Sequence, residues 1–309
     1  MLLPRRIPLT VVGGFLGAGK TTLLNHLLGG LSGIRAAVLV NDFGAVNVDS
    51  RLVAAHEGET IALTNGCVCC SIGGDMTDAL IQVIERRPTP EWIVIEASGV
   101  SDPARIAQVG LADPSLALDG VIVLADASAL AEHAADARLS DTLARQLAAA
   151  DLVVLNKCDL ATATERGAAH SIVTRCAADA HVLEATHAAL APALLSGVAA
   201  ERFTATIPGL HADHAGTFDS IALDFSGTFS AVRLRALLAS MPPGVLRAKG
   251  VVRTDECPAA ALQFSGRRGT LHVLPRAAIG VSRVVAIGLR GELPTAALRA
   301  AVAKALVVE

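Results

Sequence analysis

The sequence lacks an excess of charge, a long apolar run and a paired cysteine framework, and each absence removes a class of protein. The formal net charge is −3, which supplies no general electrostatic reason for a nucleic acid or an anionic membrane as partner. No stretch reaches the ~18 uninterrupted apolar residues of a spanning helix. The opening Met1-Leu2-Leu3-Pro4-Arg5-Arg6 runs into a strand-like segment, without an apolar stretch and a small-residue cleavage site, and so reads as mature sequence. Six cysteines among 309 residues, three of them within four positions, do not make a disulfide framework; clustering points to metal or redox chemistry in a reducing compartment. A cytoplasmic location is the expectation. Tyrosine is absent and tryptophan occurs once, yet hydrophobic residues make up 52% of the chain, which excludes a disordered or collagen-like protein.

The length is generous for one core and comfortable for two. Short runs rich in Val, Ile and Leu at 7–12, 36–40, 92–95, 121–124, 152–155 and 181–183 alternate with helical stretches. The pattern predicts an α/β domain with a mostly parallel sheet covered by helices on both faces. Ligands of such sheets sit at the carboxyl ends of the strands. The pattern lapses at 201–216, a stretch holding Pro208, Gly209, His211, His214 and Gly216, which is expected to be a linker between domains at 1–200 and 217–309. Beyond it, strands are expected at 218–224, 250–253, 261–264, 270–274 and 283–289, and helices near 230–240 and 294–307. Gly266-Arg267-Arg268-Gly269 marks an antiparallel hairpin, and the second domain reads as small and α+β.

Gly14-Phe15-Leu16-Gly17-Ala18-Gly19-Lys20-Thr21 follows the first strand and opens a helix, the setting of a P-loop. Glycines let successive N–H groups converge on phosphate oxygens, and the helix N-terminus adds partial positive charge. Lys20 can reach the β- and γ-phosphates, Thr21 can ligate Mg²⁺, and Thr22 is a candidate α-phosphate contact. The alternative is a glycine-rich turn before an ordinary helix. Asn156-Lys157-Cys158-Asp159 directly follows the strand at 152–155 and resembles the guanine-reading motif of GTPases. A carboxylate at Asp159 can accept from the guanine N1–H and exocyclic amine together, an arrangement that adenine lacks. Asn156 would support the loop, and the Lys157 stem would lie on the base. The competing reading is a turn that caps the next helix.

Trp92-Ile93-Val94-Ile95-Glu96 is an apolar strand ending in an acid and followed by Ala97-Ser98-Gly99, similar to a Walker-B strand with its glycine. Glu96 would then bind Mg²⁺ through water or polarise the attacking water, and Gly99 N–H would sense the γ-phosphate. Lys20, Glu96 and Gly99 are the candidate catalytic groups. Otherwise the strand merely leads into a helix capped by Ser101 or Asp102. Asp49 is a candidate switch carboxylate near Mg²⁺. Gly66-Cys67-Val68-Cys69-Cys70 sets three thiols too close for an easy internal disulfide but well for gripping one soft or borderline cation.

Taken in order, these four motifs resemble the CobW-type metal-chaperone GTPases, relatives of the nickel-insertion GTPases of hydrogenase and urease maturation. Leu246-Arg247-Ala248-Lys249-Gly250 and the closing strand from Arg283 are similar to that family's C-terminal domain. The resemblance implies a P-loop NTPase fold and a cycle in which GTP and Mg²⁺ order a metal site at Cys67, Cys69 and Cys70, and hydrolysis to GDP loosens it for delivery to a client protein or cofactor pathway. Zn²⁺ is the expected cargo, with Co²⁺ or Ni²⁺ as alternatives. Two departures stand out: Asp42 occupies a position where the family usually has Glu, and the linker holds only His211 and His214 in place of a long histidine tract. Slow turnover is expected, since no catalytic Gln or arginine finger is visible. A regulatory GTP-binding module with metal- or redox-sensing cysteines, or a P-loop kinase or ATPase, is the competing function. Cys158, Cys176 and Cys257 stand singly and read as structural.

Overall fold

The computed structural model describes residues 6–30, 34–40, 60–62, 75–195, 218–274 and 279–307. The chain divides into two compact units, one spanning Arg6–Ala199 and the other containing Ala200–Glu309.

The first unit is built on seven strands: β1 (Ile7–Gly14), β2 (Ala36–Val40), β3 (Thr60–Ala62), β4 (Trp92–Glu96), β5 (Leu116–Asp126), β6 (Leu152–Asn156) and β7 (His181–Glu184). They lie in the order β3-β2-β4-β1-β5-β6-β7, and every pairing is parallel. All residues of β1, β2, β4 and β6 are buried, which is why these strands read as unbroken apolar runs and not as alternations. The chain winds away from β1 to β2 and β3, returns for β4, and crosses to the other side for β5, so β1 stands where the winding changes direction. In open α/β sheets a ligand sits at the carboxyl end of such a strand.

Helices α1 (Lys20–Gly30), α2 (Asp75–Glu85), α3 (Pro103–Ala112), α4 (Leu130–Ala135), α5 (Ser140–Ala148), α6 (Ala163–Cys176) and α7 (Pro192–Leu195) cover the sheet. On one face Leu9, Val11, Ile93, Ile95, Val123 and Val153 join a core with Leu80, Ile106, Leu130, Leu143 and Val173 from five of these helices. On the other, Trp92 Nε1 donates to Thr10 Oγ1 at 3.0 Å and Thr10 Oγ1 to Leu195 O at 3.1 Å, tying α7 to β1 and β4. Both groups are buried, so the chain of bonds satisfies polar atoms that would otherwise be costly there. β5 begins five residues before the expected 121–124 run. A register shift against Leu9 and Thr10 accompanies Asp119 and Gly120, poor strand formers that hid its first half from a reading by pattern. The three-residue β3 was not expected.

The second unit is a five-stranded antiparallel sheet, ordered β11-β10-β9-β12-β8, from β8 (Phe218–Phe225), β9 (Arg247–Val252), β10 (Ala260–Ser265), β11 (Arg268–Val273) and β12 (Ser282–Leu289), with α8 (Ala231–Ala239) and α9 (Thr295–Lys304). β10 and β12 alternate in burial, the mark of a sheet with one face on a core. That core holds Phe229, Leu234, Leu262, Phe264, Val284 and Leu298. The hairpin falls where expected: Ser265 pairs with Arg268, and Gly266 takes φ 59° in a two-residue loop, as a type II′ turn requires at its first central position. The expected linker at 201–216, with His211 and His214, lies outside the described residues.

Candidate nucleotide site

β1 ends at Gly14, and six residues later the chain enters α1. Ala18 N–H donates to Phe15 O at 3.2 Å, and Leu23 N–H to Gly19 O at 3.0 Å closes the first helical turn. The leading N–H groups of any helix have no intrahelical acceptor, and here they belong to Lys20, Thr21 and Thr22. Gly17 and Gly19 hold φ 74° and 105°, so the loop between strand and helix is a concave run of backbone of the kind that binds anions. Lys20 is 7% exposed, and its Nζ folds back to Phe15 O at 3.3 Å. A weak, long bond of this kind holds an ammonium over the loop and is readily exchanged for a phosphate oxygen.

The loop is clamped from β6, two strands away from β1. Asn156 closes β6, is buried, donates from Nδ2 to Ala18 O at 2.9 Å, and accepts from Ala188 N–H at Oδ1 at 2.7 Å. One amide thus ties the phosphate loop to the loop after β7. Gly19 makes the approach possible: a Cβ there would stand 2.4 Å from Asn156 Nδ2. Lys157 adopts φ 61° and donates from Nζ to Asp126 Oδ2 at 2.7 Å. Burial pushes the Asp126 carboxyl up, but bonds from Lys157 and from the Ser128 hydroxyl and N–H outweigh it and hold the group below its usual range. Asp159 is exposed, beside these anchored neighbours. The helix that follows is capped by Thr162 and Glu165 through a full capping box, so Asn156 and Asp159 are not spent as its caps.

Glu96 closes β4 beside β1, in register with Val12, and is 2% exposed. By strand alternation it lies on the face of Thr10 and Trp92, opposite Ile95. Ala97 N–H then bonds Val12 O at 2.8 Å, and Gly99 is drawn against the phosphate loop: a Cβ on it would meet Leu16 Cδ2 at 2.4 Å and Leu16 N at 3.0 Å. Asp102, not Ser101, caps α3, accepting from Ala104 N–H at 2.9 Å ahead of Pro103. Ser101 bonds the Ser98 hydroxyl.

The structure therefore gathers the loop 14–22, the strand end at 96–99 and the motif 156–159 at one end of one sheet. Asp42, Asp49, Cys67, Cys69 and Cys70 lie outside the described residues, and among the described residues no group of three His, Cys, Asp or Glu side chains could hold a metal. Cys158, Cys176 and Cys257 are free; burial pushes the Cys158 thiol up, which makes it a poorer thiolate. Three contributors were missed in the sequence. Asp126 carried the same signal as Glu96, an acid closing an apolar strand. Gln146 stood as a polar residue on the buried Leu143–Leu147 stripe of α5. Ala188 acts through its backbone and left no signal.

Fold and loop together define a P-loop nucleotide-binding domain of the GTPase class. The family model for the CobW/HypB/UreG nucleotide-binding domain matches residues 8–184, and that for the cobalamin synthesis protein cobW C-terminal domain matches residues 218–306; the chain belongs to this family. It is 35% identical over 271 residues to the zinc chaperone YjiA of Escherichia coli (strain K12), covering 82% of this chain and 83% of that one. It is 33% identical over 224 residues to the zinc chaperone CobW of Sinorhizobium sp, covering 62% and 63%. The crystal structure of Zn(II)-bound YjiA GTPase from E. coli aligns with 98% of this chain and 100% of its own at 26% identity, with a TM-score of 0.47.

Proposed function

We propose that this protein is a GTP-hydrolysing metallochaperone that binds a divalent metal, Zn²⁺ first, at Cys67, Cys69 and Cys70 and hands it to a client protein. The observation that carries the nucleotide half is the clamp of Asn156 on Ala18, which couples a phosphate-binding loop to an Asn-Lys-x-Asp loop. The cargo half draws on family membership, on relatives named as zinc chaperones, and on three thiols in four residues, a donor set suited to Zn²⁺, with Co²⁺ and Ni²⁺ as competitors. No helix among the described residues is long and apolar enough to cross a membrane, and free thiols suit a reducing compartment such as the cytoplasm.

In this reading the N–H groups of Gly17 and of Gly19 through Thr22 and the Lys20 ammonium cradle the phosphates, Asp159 reads guanine, and the Asp126 pair keeps Lys157 extended along the base. The oxygen donors Thr21 and buried Glu96, with Asp49, fit a hard cation, and Mg²⁺ bound there would neutralise charge on the β- and γ-phosphates. A water attacks the γ-phosphorus as the β–γ bridging oxygen leaves with GDP. Gly99 N–H senses whether the γ-phosphate is present.

The test is metal affinity by chelator competition for Zn²⁺, Co²⁺ and Ni²⁺ in Mg²⁺, with a non-hydrolysable GTP analogue or GDP. Tighter metal binding with the analogue is expected, and linkage then requires metal to raise the preference for the analogue over GDP by the same factor. Equal affinity in the two states would sink the chaperone reading and leave a regulatory GTP-binding module. Changing Cys67 and Cys70 to Ser is expected to abolish metal binding and leave nucleotide binding within about twofold; loss of both would make the cluster structural.

A further inference from the structure

The turn at residues 98–101 is held from one side. Ser101 N–H donates to Ser98 O at 3.0 Å, and Gln146 Nε2 donates to Gly99 O at 3.1 Å and Ser101 O at 3.0 Å. Across a trans peptide the carbonyl and the N–H point in opposite directions. With the carbonyls of Ser98 and Gly99 committed, the N–H groups of Gly99 and Val100 are aimed away from those partners. Neither has a protein acceptor among the described residues. Gly99 itself lies against Leu16 of the phosphate loop, so two oriented donors stand at the edge of the nucleotide site.

Gln146 is an odd choice for its place. It is 1% exposed, on the buried stripe of α5, where an apolar side chain is the usual occupant. Its amide orientation is settled by the two carbonyls, since the flipped group would set Oε1 against two acceptors. That leaves Oε1 without a hydrogen-bond partner among the described residues, in the wall of a small pocket shared with Phe15, Leu16 and Asp126. A buried polar atom without a partner is destabilising. An apolar side chain would remove that cost, but it could not grip two carbonyls.

We infer that Gln146 is a positioning residue for GTP hydrolysis: by gripping Gly99 and Ser101 it keeps the Gly99 and Val100 N–H groups set to receive the terminal phosphate. The inference rests on the GTPase reading above and adds to it a residue from α5, which lies in the chain between the strands ending in Asp126 and Asn156. GDP has no terminal phosphate, so the device acts on GTP and on the transition state and leaves GDP untouched.

The experiment compares wild type with Gln146→Met, close in volume and without a donor, for kcat and KM in Mg²⁺-GTP. Affinities for GDP and for a non-hydrolysable GTP analogue are measured alongside, on protein whose folding is checked by thermal melting. The expected result is a kcat lower by about ten- to thirtyfold, the effect of two neutral hydrogen bonds. Analogue binding should weaken about tenfold, with GDP affinity within about twofold. Should the Met variant not fold, Gln146→Glu, of the same shape but lacking the paired amide donor, is judged by the same figures. A kcat within twofold of wild type overturns the inference, as does a parallel fall in GDP and analogue affinity, which would make Gln146 a structural strut. A wild-type chain that hydrolyses no GTP fails the GTPase reading itself and the inference with it, whereas an active wild type beside an unaffected variant fails the inference alone.

Discussion

Replacing Asn156 by alanine tests whether one side chain holds the nucleotide site together. The substitution removes the bond to Ala18 O at 2.9 Å and the bond from Ala188 N–H at 2.7 Å. Ala18 is 1% exposed and Ala188 is 0% exposed, so solvent cannot readily replace either partner. Each backbone group left bare costs about 1–3 kcal/mol, which sums to about 2–6 kcal/mol of lost stability, read as a shift in the urea midpoint at unchanged slope. Because the severed contact joins the phosphate loop to the loop after β7, GTP and GDP should lose affinity alike, by about tenfold or more. That common loss separates this change from Gln146→Met, which spares GDP. Asn156→Asp is a demanding companion: it can still accept from Ala188 N–H, but sets a carboxylate against the Ala18 carbonyl, and it should be no better than alanine. A stability loss under about 1 kcal/mol with nucleotide binding within twofold would refute the clamp.

Asp159→Asn should cut GTP affinity by about 100-fold or more, from the loss of two charge-assisted acceptor contacts. Xanthosine triphosphate, whose ring carbonyl replaces the guanine amine, should gain; unchanged GTP preference in competition binding would remove Asp159 from base recognition. For Asp126 the sign follows from its direction: a carboxyl held below its usual 3.8 contributes stability that is present above the unfolded value and lost as pH falls through the lower folded one. Asp126→Asn should therefore unfold at lower urea than wild type near neutral pH, with the gap closing on acidification below pH 3.8. The effect is modest, since the Lys157 and Asp126 side chains are 32% and 15% exposed and partly screened. A gap that persists or widens in acid would show that the pair is not its source.

Much of the first unit could be read along the chain because its chemistry is local. A buried parallel strand must be apolar throughout, so β1, β2, β4 and β6 announced themselves. A phosphate loop needs its glycines, lysine and threonine within one turn, and Glu96 and Asp159 sit within four residues of the strands that carry them. The first half of β5 was concealed by Asp119 and Gly120, and β3 is too short to leave a period. In the second unit the Gly266 hairpin was legible from its turn residues, whereas β9 begins at Arg247 and not near Gly250, since Arg247 and Lys249 disguise a buried strand.

By itself the sequence determined which groups this protein offers to the proposed site: the glycine-rich loop from Gly14 to Thr22, the acid at Glu96, the carboxylate at Asp159 proposed to read the base, and three thiols at Cys67, Cys69 and Cys70 proposed to hold the metal. Only the tertiary structure decided how the described groups are held. Asn156 reaches Ala18 across 138 residues of chain, Gln146 reaches Gly99 across 47 and Lys157 reaches Asp126 across 31. No period or spacing encodes such meetings. They arise because the strand order sets the carboxyl ends of β4, β1, β5 and β6 side by side at one end of the sheet, where side chains distant in sequence must satisfy one another's buried polar atoms.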